Sequence, residues 1–216
     1  MDLTEFYNAL PKPTLGRNKY EMAAQVLGFN YRLLSGRQVY NSSLPSQIKQ
    51  FVMENSEVIL LPNIYNGSVI GFLLRSISKK AFRYYSEYPI PYGAGVNNKK
   101  YNEPWVIVES CLDSDFLRSF YPYVIATLGV TVSNNTLDFL FSTSPFVIVG
   151  FDNDDAGNNA YRNLFFKYKG RVKKMDVPLG KKDFGDTLQL LCSMDYTQYD
   201  IESMYIKQNL KIITEL

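Results

Sequence analysis

The sequence of 216 residues predicts an α/β fold in which a parallel sheet is flanked by helices and preceded by a mixed α+β basic subdomain. From about residue 101 onward, short apolar segments alternate with segments of helical periodicity, a pattern typical of βαβ units. The apolar segments are rich in Val and Ile and lack alternating polar residues, as expected for strands buried on both faces. Right-handed crossovers would then bring the carboxyl ends of all the strands to one edge of the sheet.

The elements of this carboxyl-terminal part can be placed in order along the chain. Strands are predicted at residues 105–109, 123–127, 146–151 and 171–177. Helices are predicted at residues 113–120, 133–142, 155–168 and 186–194. After Tyr196, apolar residues recur at roughly helical spacing and predict a closing helix that packs on the sheet. These residues are Ile201, Met204, Tyr205, Leu210 and Ile213.

The amino-terminal part is less periodic but contains a strong hairpin signal. Asn66-Gly67 lies between the apolar segments 58–62 and 68–72. This dipeptide favours the two-residue turn of a β-hairpin, because both of its residues tolerate a positive φ. We therefore expect an antiparallel hairpin at the centre of this part.

Two helices and a connector complete the amino-terminal part. The helices are predicted at residues 18–27 and 45–54. Residues 86–104 are rich in Pro, Gly and Asn, which predicts a connector. We therefore divide the chain into a basic α+β subdomain, a parallel-sheet domain and a closing helix, at residues 1–100, 101–195 and 196–216.

The composition excludes several classes of enzyme and of location. The chain has no histidine, which excludes Ser-His-Asp and Cys-His catalysis as well as histidine-bound zinc. Cys111 and Cys192 are too few for a zinc ribbon or a disulfide scaffold, so we expect reduced, mostly buried thiols. No uncharged segment approaches the roughly 18 residues that a membrane span needs, and no signal peptide is evident. We expect a soluble, cytoplasmic protein without a membrane partner.

The charge is unevenly distributed along the chain. Residues 1–100 contain 12 Lys and Arg against 6 Asp and Glu, whereas residues 101–216 contain 11 against 15. The first part therefore carries a net charge of +6 and the second −4. This asymmetry favours a polyanion-binding surface beside a cation site, although a solvated face with chance asymmetry explains the counts equally well.

Acidic residues follow two of the predicted strands. Glu109 follows the apolar residues 105–108, and Asp152 and Asp154 follow the apolar residues 146–151. Because the carboxyl ends of parallel strands share one edge of the sheet, these carboxylates are expected to converge and to bind Mg²⁺ or Mn²⁺. The alternative is that Asp154 or Asp155 caps the following helix.

A third acidic segment follows the fourth predicted strand. Asp183 and Asp186 would lie at the same edge of the sheet, within reach of a second cation. Asp186 is also well placed to be the N-cap of the next helix, and this simpler explanation is a strong one.

Basic residues cluster after the predicted hairpin, with aromatic residues between them. This composition is typical of a groove that binds single-stranded nucleic acid, although lysines also protect exposed edges of sheets. The basic residues are Arg75, Lys79, Lys80 and Arg83. Lys181 and Lys182, beside Asp183, are candidates for contacting a nucleoside triphosphate.

Residues 105–187 resemble a TOPRIM domain, the metal-binding module of DnaG-type primases, topoisomerases and some nucleases. Residues 105–113 resemble the apolar strand of that family with its glutamate and, four positions later, its aspartate. Residues 152–157 read Asp-Asn-Asp-Asp-Ala-Gly and resemble its D-x-D-x-A-G signature. The turn Ala-Thr-Leu-Gly at 126–129 and the Lys-Asp element at 182–186 resemble segments of primases.

The resemblance continues upstream, which favours primases over other TOPRIM proteins. Residues 61–75 resemble the primase hairpin with its closing arginine, Arg83-Tyr84-Tyr85-Ser86 its Lys-Tyr-x-Asn-Ser, and Tyr92-Gly93 its Leu-Tyr-Gly. Together the match covers about residues 57–190. Ser110 replaces the usual glycine after the glutamate, which a turn tolerates if its backbone angles are ordinary.

The resemblance implies the catalytic core of a primase without a zinc ribbon. Such an enzyme is a DNA-dependent RNA polymerase that makes short RNA primers on single-stranded DNA from ribonucleoside triphosphates. Glu109, Asp152, Asp154 and Asp186 would hold Mg²⁺ or Mn²⁺, and Asp113 and Asp183 would support them.

Partners and location follow from the same resemblance. A replicative helicase or a separate zinc-ribbon protein would act with the core, in the cytoplasm of a bacterial host cell if a phage encodes the protein. The alternatives are a TOPRIM nuclease that uses the same metals and a non-catalytic nucleic-acid-binding module of the replisome.

Overall fold

The computed structural model describes residues 2–14, 18–40, 42–95 and 99–215, without the side chain of Cys192. These residues belong to two compact units, Met1–Pro89 and Ile90–Leu216. Residues 96–98 of the predicted connector and the thiol of Cys192 therefore lie outside the described residues. The thiol of Cys111 is buried and free, as predicted.

The first unit is built on an antiparallel sheet. Its strands follow one another in the sheet in chain order and are β1 Arg32–Ser35, β2 Glu57–Tyr65, β3 Ser68–Ser76 and β4 Phe82–Ser86. Its helices are α1 Leu3–Asn8, α2 Lys19–Val26, α3 Gly36–Tyr40 and α4 Ser46–Asn55. The predicted mixed α+β class, the helices near 18–27 and 45–54 and the central hairpin are confirmed.

The hairpin turn has the conformation that its sequence requires. Asn66 and Gly67 both have positive φ values, of 49° and 81°, as in the turns that match the twist of paired strands. One face of the sheet packs on α1 and α4 through buried side chains that include Tyr7, Ile48 and Phe72. The elements α1, β1, α3 and β4 were not predicted, because segments of four to six residues are too short for periodicity to reveal.

The second unit is built on a parallel sheet, as predicted. Its strands are β5 Trp105–Val108, β6 Val124–Ala126, β7 Val147–Val149 and β8 Val172–Lys174. Its helices are α5 Cys111–Arg118, α6 Asn134–Thr143, α7 Asp155–Lys167, α8 Gly185–Cys192 and α9 Tyr196–Thr214. The strand order is β6-β5-β7-β8 and every pairing is parallel.

This strand order determines which chain segments meet at the carboxyl edge. Strands β5 and β7 are central neighbours and their residues are fully buried, whereas β8 lies at the edge and exposes Lys174. Strands β7 and β8 are shorter than predicted. Phe151 and Val177 are apolar and buried, so the sequence includes them in the strands, but they lie beyond the paired residues. The residues that follow β5 and β7 are therefore adjacent.

The closing helix forms as predicted, but of the residues expected to pack inward Leu210 is buried and three others are not. Helix α9 packs on α8, and its Tyr199 ring contacts Phe116 of α5. Its buried residues are Glu202, Ile206 and Leu210. Ile201, Met204 and Tyr205, which were expected to face the sheet, are exposed. Within the described residues, no helix is both long and apolar enough to cross a membrane.

Candidate metal and nucleotide site

Glu109 directly follows β5 and is positioned by the turn after β6. The Thr127 N–H and hydroxyl both donate to the Val108 carbonyl, at 2.9 and 3.0 Å. The Gly129 N–H donates to the Glu109 carbonyl at 3.2 Å. The turn reverses through positive φ values at Leu128 and Gly129, of 62° and 136°. The Ala-Thr-Leu-Gly segment thus holds the backbone on both sides of the Glu109 peptide.

The Glu109 carboxylate contacts the segment that follows β7. Its Oε1 accepts a hydrogen bond from the Asp152 N–H at 3.0 Å. A Cβ atom added to Gly157 would lie 2.2 Å from the Asp152 carbonyl oxygen and 3.0 Å from Glu109 Oε1. Only glycine at this position lets the first turn of α7 approach so closely, because 2.2 Å is far below any contact that real Cβ atoms make.

Asp154 acts as a helix cap and also points its second oxygen toward a cation. Its Oδ1 accepts a hydrogen bond from the Gly157 N–H at 3.0 Å and so caps α7. This hydrogen bond lowers the pKa of Asp154 and keeps it ionised. Its Oδ2 lies 3.3 Å from the Lys182 ammonium. Because each role uses a different oxygen, Asp154 can cap α7 and bind a cation at the same time, and the two roles considered from the sequence are compatible.

Lys182 places its ammonium between the two aspartates of the D-x-D segment. The Nζ atom lies 2.9 Å from Asp152 Oδ2 and 3.3 Å from Asp154 Oδ2. The two carboxylates raise the pKa of Lys182, Asp152 more than Asp154. The backbone of Lys182 is held as well, since its carbonyl accepts from the Asn153 N–H at 2.6 Å. Its N–H donates to Asp186 Oδ2 at 3.0 Å.

Asp186 and Asp183 belong to the same loop as Lys182. Asp186 was expected to be the N-cap of the following helix, but α8 begins at Gly185 and Asp186 lies in its first turn. The Asp186 carboxylate instead accepts from the Lys182 N–H and closes the loop upon itself. Asp183 lies between these two residues in the chain and is partly buried. The assignment of Asp183 and Asp186 to a second metal ion stays a prediction.

Asp113 connects the loop after β5 to the start of α8. It is only 3% exposed, and its Oδ1 accepts from the Gly185 N–H at 2.6 Å. Its Oδ2 accepts from the Ser110 hydroxyl at 2.7 Å, while the Asp113 N–H donates to Ser110 Oγ. Ser110 has ordinary extended angles, φ −112° and ψ 153°, so the serine in place of the usual glycine creates no strain. Asp113 is therefore placed to position the Lys182–Asp186 loop.

Lys181 points away from these acids toward α9. Its Nζ lies 3.3 Å from Oε1 of the buried Glu202. Glu202 also accepts from the Thr187 hydroxyl at 2.9 Å and from the Gln198 side-chain amide at 3.0 Å. A buried carboxylate needs such partners, and Lys181, Thr187 and Gln198 supply them for Glu202. Of the two lysines considered for triphosphate binding, only Lys182 contacts the D-x-D acids.

The basic residues of the first unit lie on both faces of its sheet. Arg75 pairs with Phe82 across β3 and β4, and its guanidinium lies 5.7 Å from the centre of the Tyr20 ring. Arg83 follows Phe82 in β4 and therefore points to the opposite face. Lys79 donates from its ammonium to the Glu54 carbonyl at 3.0 Å. Lys80 is exposed in the turn before β4.

The acids of the second unit fit a divalent ion that keeps open coordination positions. Asp152 Oδ2 and Asp154 Oδ2 both lie within 3.3 Å of the Lys182 ammonium nitrogen, so this pair of carboxylates already binds one positive charge. Among the described residues, no three acidic or thiol side chains enclose a metal position. Hard oxygen donors with remaining positions for water and phosphate are the ligation that Mg²⁺ prefers. Asp152 and Asp154 would hold such an ion, and Glu109 adjoins them.

Burial, followed by the charge of Asp152, raises the pKa of Glu109 above its ordinary value. The unfolded chain therefore loses this proton at a lower pH than the folded protein does. The free energy of unfolding consequently falls as the pH rises from the ordinary pKa through the raised one.

In metal-free protein, Glu109→Gln keeps an acceptor for the Asp152 N–H without the charge. Because the carboxylate is only partly buried and water screens its charge, we expect the melting temperature of this variant at pH 7 to exceed that of the wild type by no more than about 2 °C.

Thermal unfolding between pH 4 and 8 in the presence of a chelator measures this effect. The difference between Glu109→Gln and the wild type is expected to close as the pH approaches 4, where both side chains are neutral. Glu54→Gln, a substitution at an exposed carboxylate of the first unit, serves as the control. A difference that is the same at both ends of the range contradicts the prediction.

Several contacts of this site were not foreseen from the sequence. The acids were predicted, but the ammonium between Asp152 and Asp154, the bond from Asp152 to Glu109 and the tie between Asp113 and Gly185 were not. The Lys-Asp segment after the fourth strand was the available signal for Lys182. Sequence spacing alone does not reveal which of two adjacent lysines turns toward the acids.

Comparison with known proteins agrees with the fold. Residues 106–188 match the family described as Toprim-like. The Escherichia coli primase catalytic core has a TM-score of 0.58 at 18% identity, with 91% of this chain and 78% of that chain covered. A DnaG primase catalytic domain bound to single-stranded DNA has a TM-score of 0.57 at 17% identity, with 93% and 79% covered.

The primase fragment of the bacteriophage T7 primase-helicase has a TM-score of 0.50 at 19% identity, with 69% of this chain covered. The chain spans 62% of that fragment, which is less than two thirds of its length. No curated protein matches the sequence. At these identities the structural likeness is one of fold. Residues 106–188 therefore form a Toprim-like domain, in a chain whose fold resembles that of DnaG primase catalytic cores.

Proposed function

We propose that this protein is the catalytic core of a primase, which joins ribonucleotides into short RNA primers on a single-stranded DNA template. The observation that carries the proposal is the placement of Asp152 and Asp154 around one ammonium, with Glu109 hydrogen-bonded to the Asp152 N–H, at the carboxyl edge of a Toprim-like sheet. The fold likeness to primase cores, which extends over both units of the chain, supports polymerisation over the other reactions of Toprim proteins.

The residues of the second unit have separate tasks in this proposal. Asp152 and Asp154 would hold Mg²⁺ or Mn²⁺, and the ion would offset charge on the triphosphate and lower the pKa of the attacking primer hydroxyl. Glu109 orients Asp152 through the backbone hydrogen bond and is a candidate third ligand. Lys182 is the basic group beside these acids that can meet a phosphate, and Asp113 keeps its loop in place.

The first unit supplies a basic surface for the template. Arg75 shares a sheet face with the exposed ring of Phe82, Lys80 is exposed in the turn before β4, and the exposed Arg83 lies on the opposite face. Basic groups bind phosphates and aromatic rings stack on unpaired bases, so this strand pair suits single-stranded DNA. The similar DnaG catalytic domain that was solved with single-stranded DNA supports the same ligand for this chain.

Further partners and the cellular location follow from priming itself. A primer is made on DNA that a helicase has just unwound, so we propose a replicative helicase as a partner. A zinc-binding protein in trans could select the start site. The cytoplasm of a bacterial cell, or of a phage-infected one, is the corresponding location.

A primer-synthesis assay tests the proposal directly. The purified protein is incubated with labelled ribonucleoside triphosphates, Mg²⁺ or Mn²⁺ and single-stranded DNA, alone and with candidate helicases. We expect oligoribonucleotides whose sequence depends on the template and whose formation stops when a chelator is added. Cleavage of the DNA or of added RNA without new oligonucleotides identifies a metal-dependent nuclease instead. Binding without either reaction identifies a non-catalytic module and refutes the proposal.

A further inference from the structure

The ammonium of Lys182 occupies the position between two carboxylates that a metal ion would take. It lies 2.9 Å from Asp152 Oδ2 and 3.3 Å from Asp154 Oδ2. These are the oxygens that face the same cation, since Asp154 uses its other oxygen to cap α7. The Asp152 side chain is only 13% exposed, so water screens its charge poorly.

A lysine and a divalent ion cannot use these two oxygens at the same time. Mg²⁺ binds carboxylate oxygens at about 2.1 Å and would stand where the ammonium now makes its contacts. Electrostatic repulsion between the two cations adds to this steric conflict. Metal binding to this aspartate pair therefore requires that the ammonium leave it.

The structure allows the side chain to leave while the loop stays in place. The Lys182 side chain is 57% exposed, which leaves room for its ammonium to swing outward. Its backbone is held by hydrogen bonds to Asn153 and Asp186, at 2.6 and 3.0 Å. A displaced ammonium would thus remain beside the acids, within the range of an anion bound there.

We propose that Lys182 is an exchangeable counterion of the Asp152–Asp154 pair. It balances one of the two negative charges of this pair in the metal-free protein, and the metal ion displaces it when it binds. The released ammonium then becomes a phosphate-binding group for the triphosphate of the substrate. This inference rests on the metal site of the proposed function, but it concerns the competition between two cations and does not depend on which reaction follows.

Titration with Mn²⁺, followed by electron paramagnetic resonance of the free ion, measures this competition without any reaction. Lys182→Met removes the competing ammonium and adds no metal ligand. We expect it to bind Mn²⁺ about three- to tenfold more tightly than the wild type, since two partly exposed ion pairs no longer oppose the metal. Lys182→Arg keeps the competing charge and should bind with nearly the wild-type affinity.

The neighbouring lysine provides a matched control. Lys181→Gln removes the same charge one residue away, but its ammonium pairs with Glu202 and not with the site, and glutamine can still donate to Glu202. We expect its Mn²⁺ affinity to change less than twofold. An affinity of Lys182→Met that equals that of Lys181→Gln, or falls below that of the wild type, overturns the proposal.

Melting temperatures give a second, independent readout. In a chelator, Lys182→Met should melt below the wild type because the two carboxylates repel each other. The difference should vanish in saturating Mn²⁺, which replaces the lost charge. A deficit that persists in Mn²⁺ indicates a merely structural lysine and refutes the exchange. If Mn²⁺ displaces the Lys182 ammonium but no primers form, the proposed polymerase activity is refuted and the exchange is not.

Discussion

Asp152→Asn is expected to lower primer synthesis at least about hundredfold while leaving the fold intact. Asp152 is the acid that contacts both other parts of the site, since its N–H donates to Glu109 and its Oδ2 lies 2.9 Å from Lys182. Asparagine keeps the backbone bond and the shape but loses the charge that a divalent ion needs. Primer synthesis at saturating triphosphate, with Mg²⁺ varied, measures the loss.

Asp155→Asn is the control for this prediction. Asp155 is exposed in the first turn of α7, three residues from Asp152, and the substitution removes the same charge. We expect its activity to stay within about twofold of the wild type, because surface charges near a site act weakly through water. Circular dichroism should show both variants folded. Full primer synthesis by Asp152→Asn would refute the assignment of this carboxylate to the metal.

Gly157→Ala is expected to destabilise the protein by about 3 kcal/mol and to abolish metal binding. Alanine normally stabilises a helix by about 1 kcal/mol relative to glycine, so the sign of the effect is informative. Here its Cβ would lie 2.2 Å from the Asp152 carbonyl oxygen, a backbone atom that cannot rotate away. Helix α7 must therefore retreat, which separates Asp152 from Glu109 and uncaps Asp154.

Urea unfolding of the metal-free protein and Mn²⁺ titration measure the two effects of Gly157→Ala. Asn159→Ala, which places alanine at an exposed position two residues later in α7, serves as the control. It should be as stable as the wild type or slightly more stable, because alanine favours the helix. If Gly157→Ala were the more stable variant, the close approach of helix and strand end would be wrong.

Much of the second unit was predictable because its signals are local. Strands buried on both faces have unbroken apolar sequences, and the strands predicted at 105–109 and 146–151 accordingly contain β5 and β7. The parallel topology then placed Glu109 and Asp152 at one edge. The family resemblance added the turn at 126–129 and the Lys-Asp segment, both of which contact the segments that carry the acids.

Other features could not be predicted, since they depend on contacts between distant segments. Helix α9 has apolar residues on more than one face, and the buried face is the one with Glu202, Ile206 and Leu210, where Glu202 pairs with Lys181. Likewise, the strand register separates Arg75 from Arg83, which appear as one cluster in the sequence. Neither outcome has a periodic signal in the chain.

Fold class, the order of most elements and the identity of the acids at the carboxyl edge all follow from the amino-acid sequence, because strand periodicity and βαβ connection are properties of short segments. The cation that those acids meet is instead a product of tertiary contacts. The bond from Asp152 to Glu109 joins residues 43 positions apart, and the pairing of Lys182 with Asp152 and Asp154 brings in a separate loop. Such contacts depend on how the loops at the edge of the folded sheet pack against one another. The spacing of residues along the chain does not encode that packing.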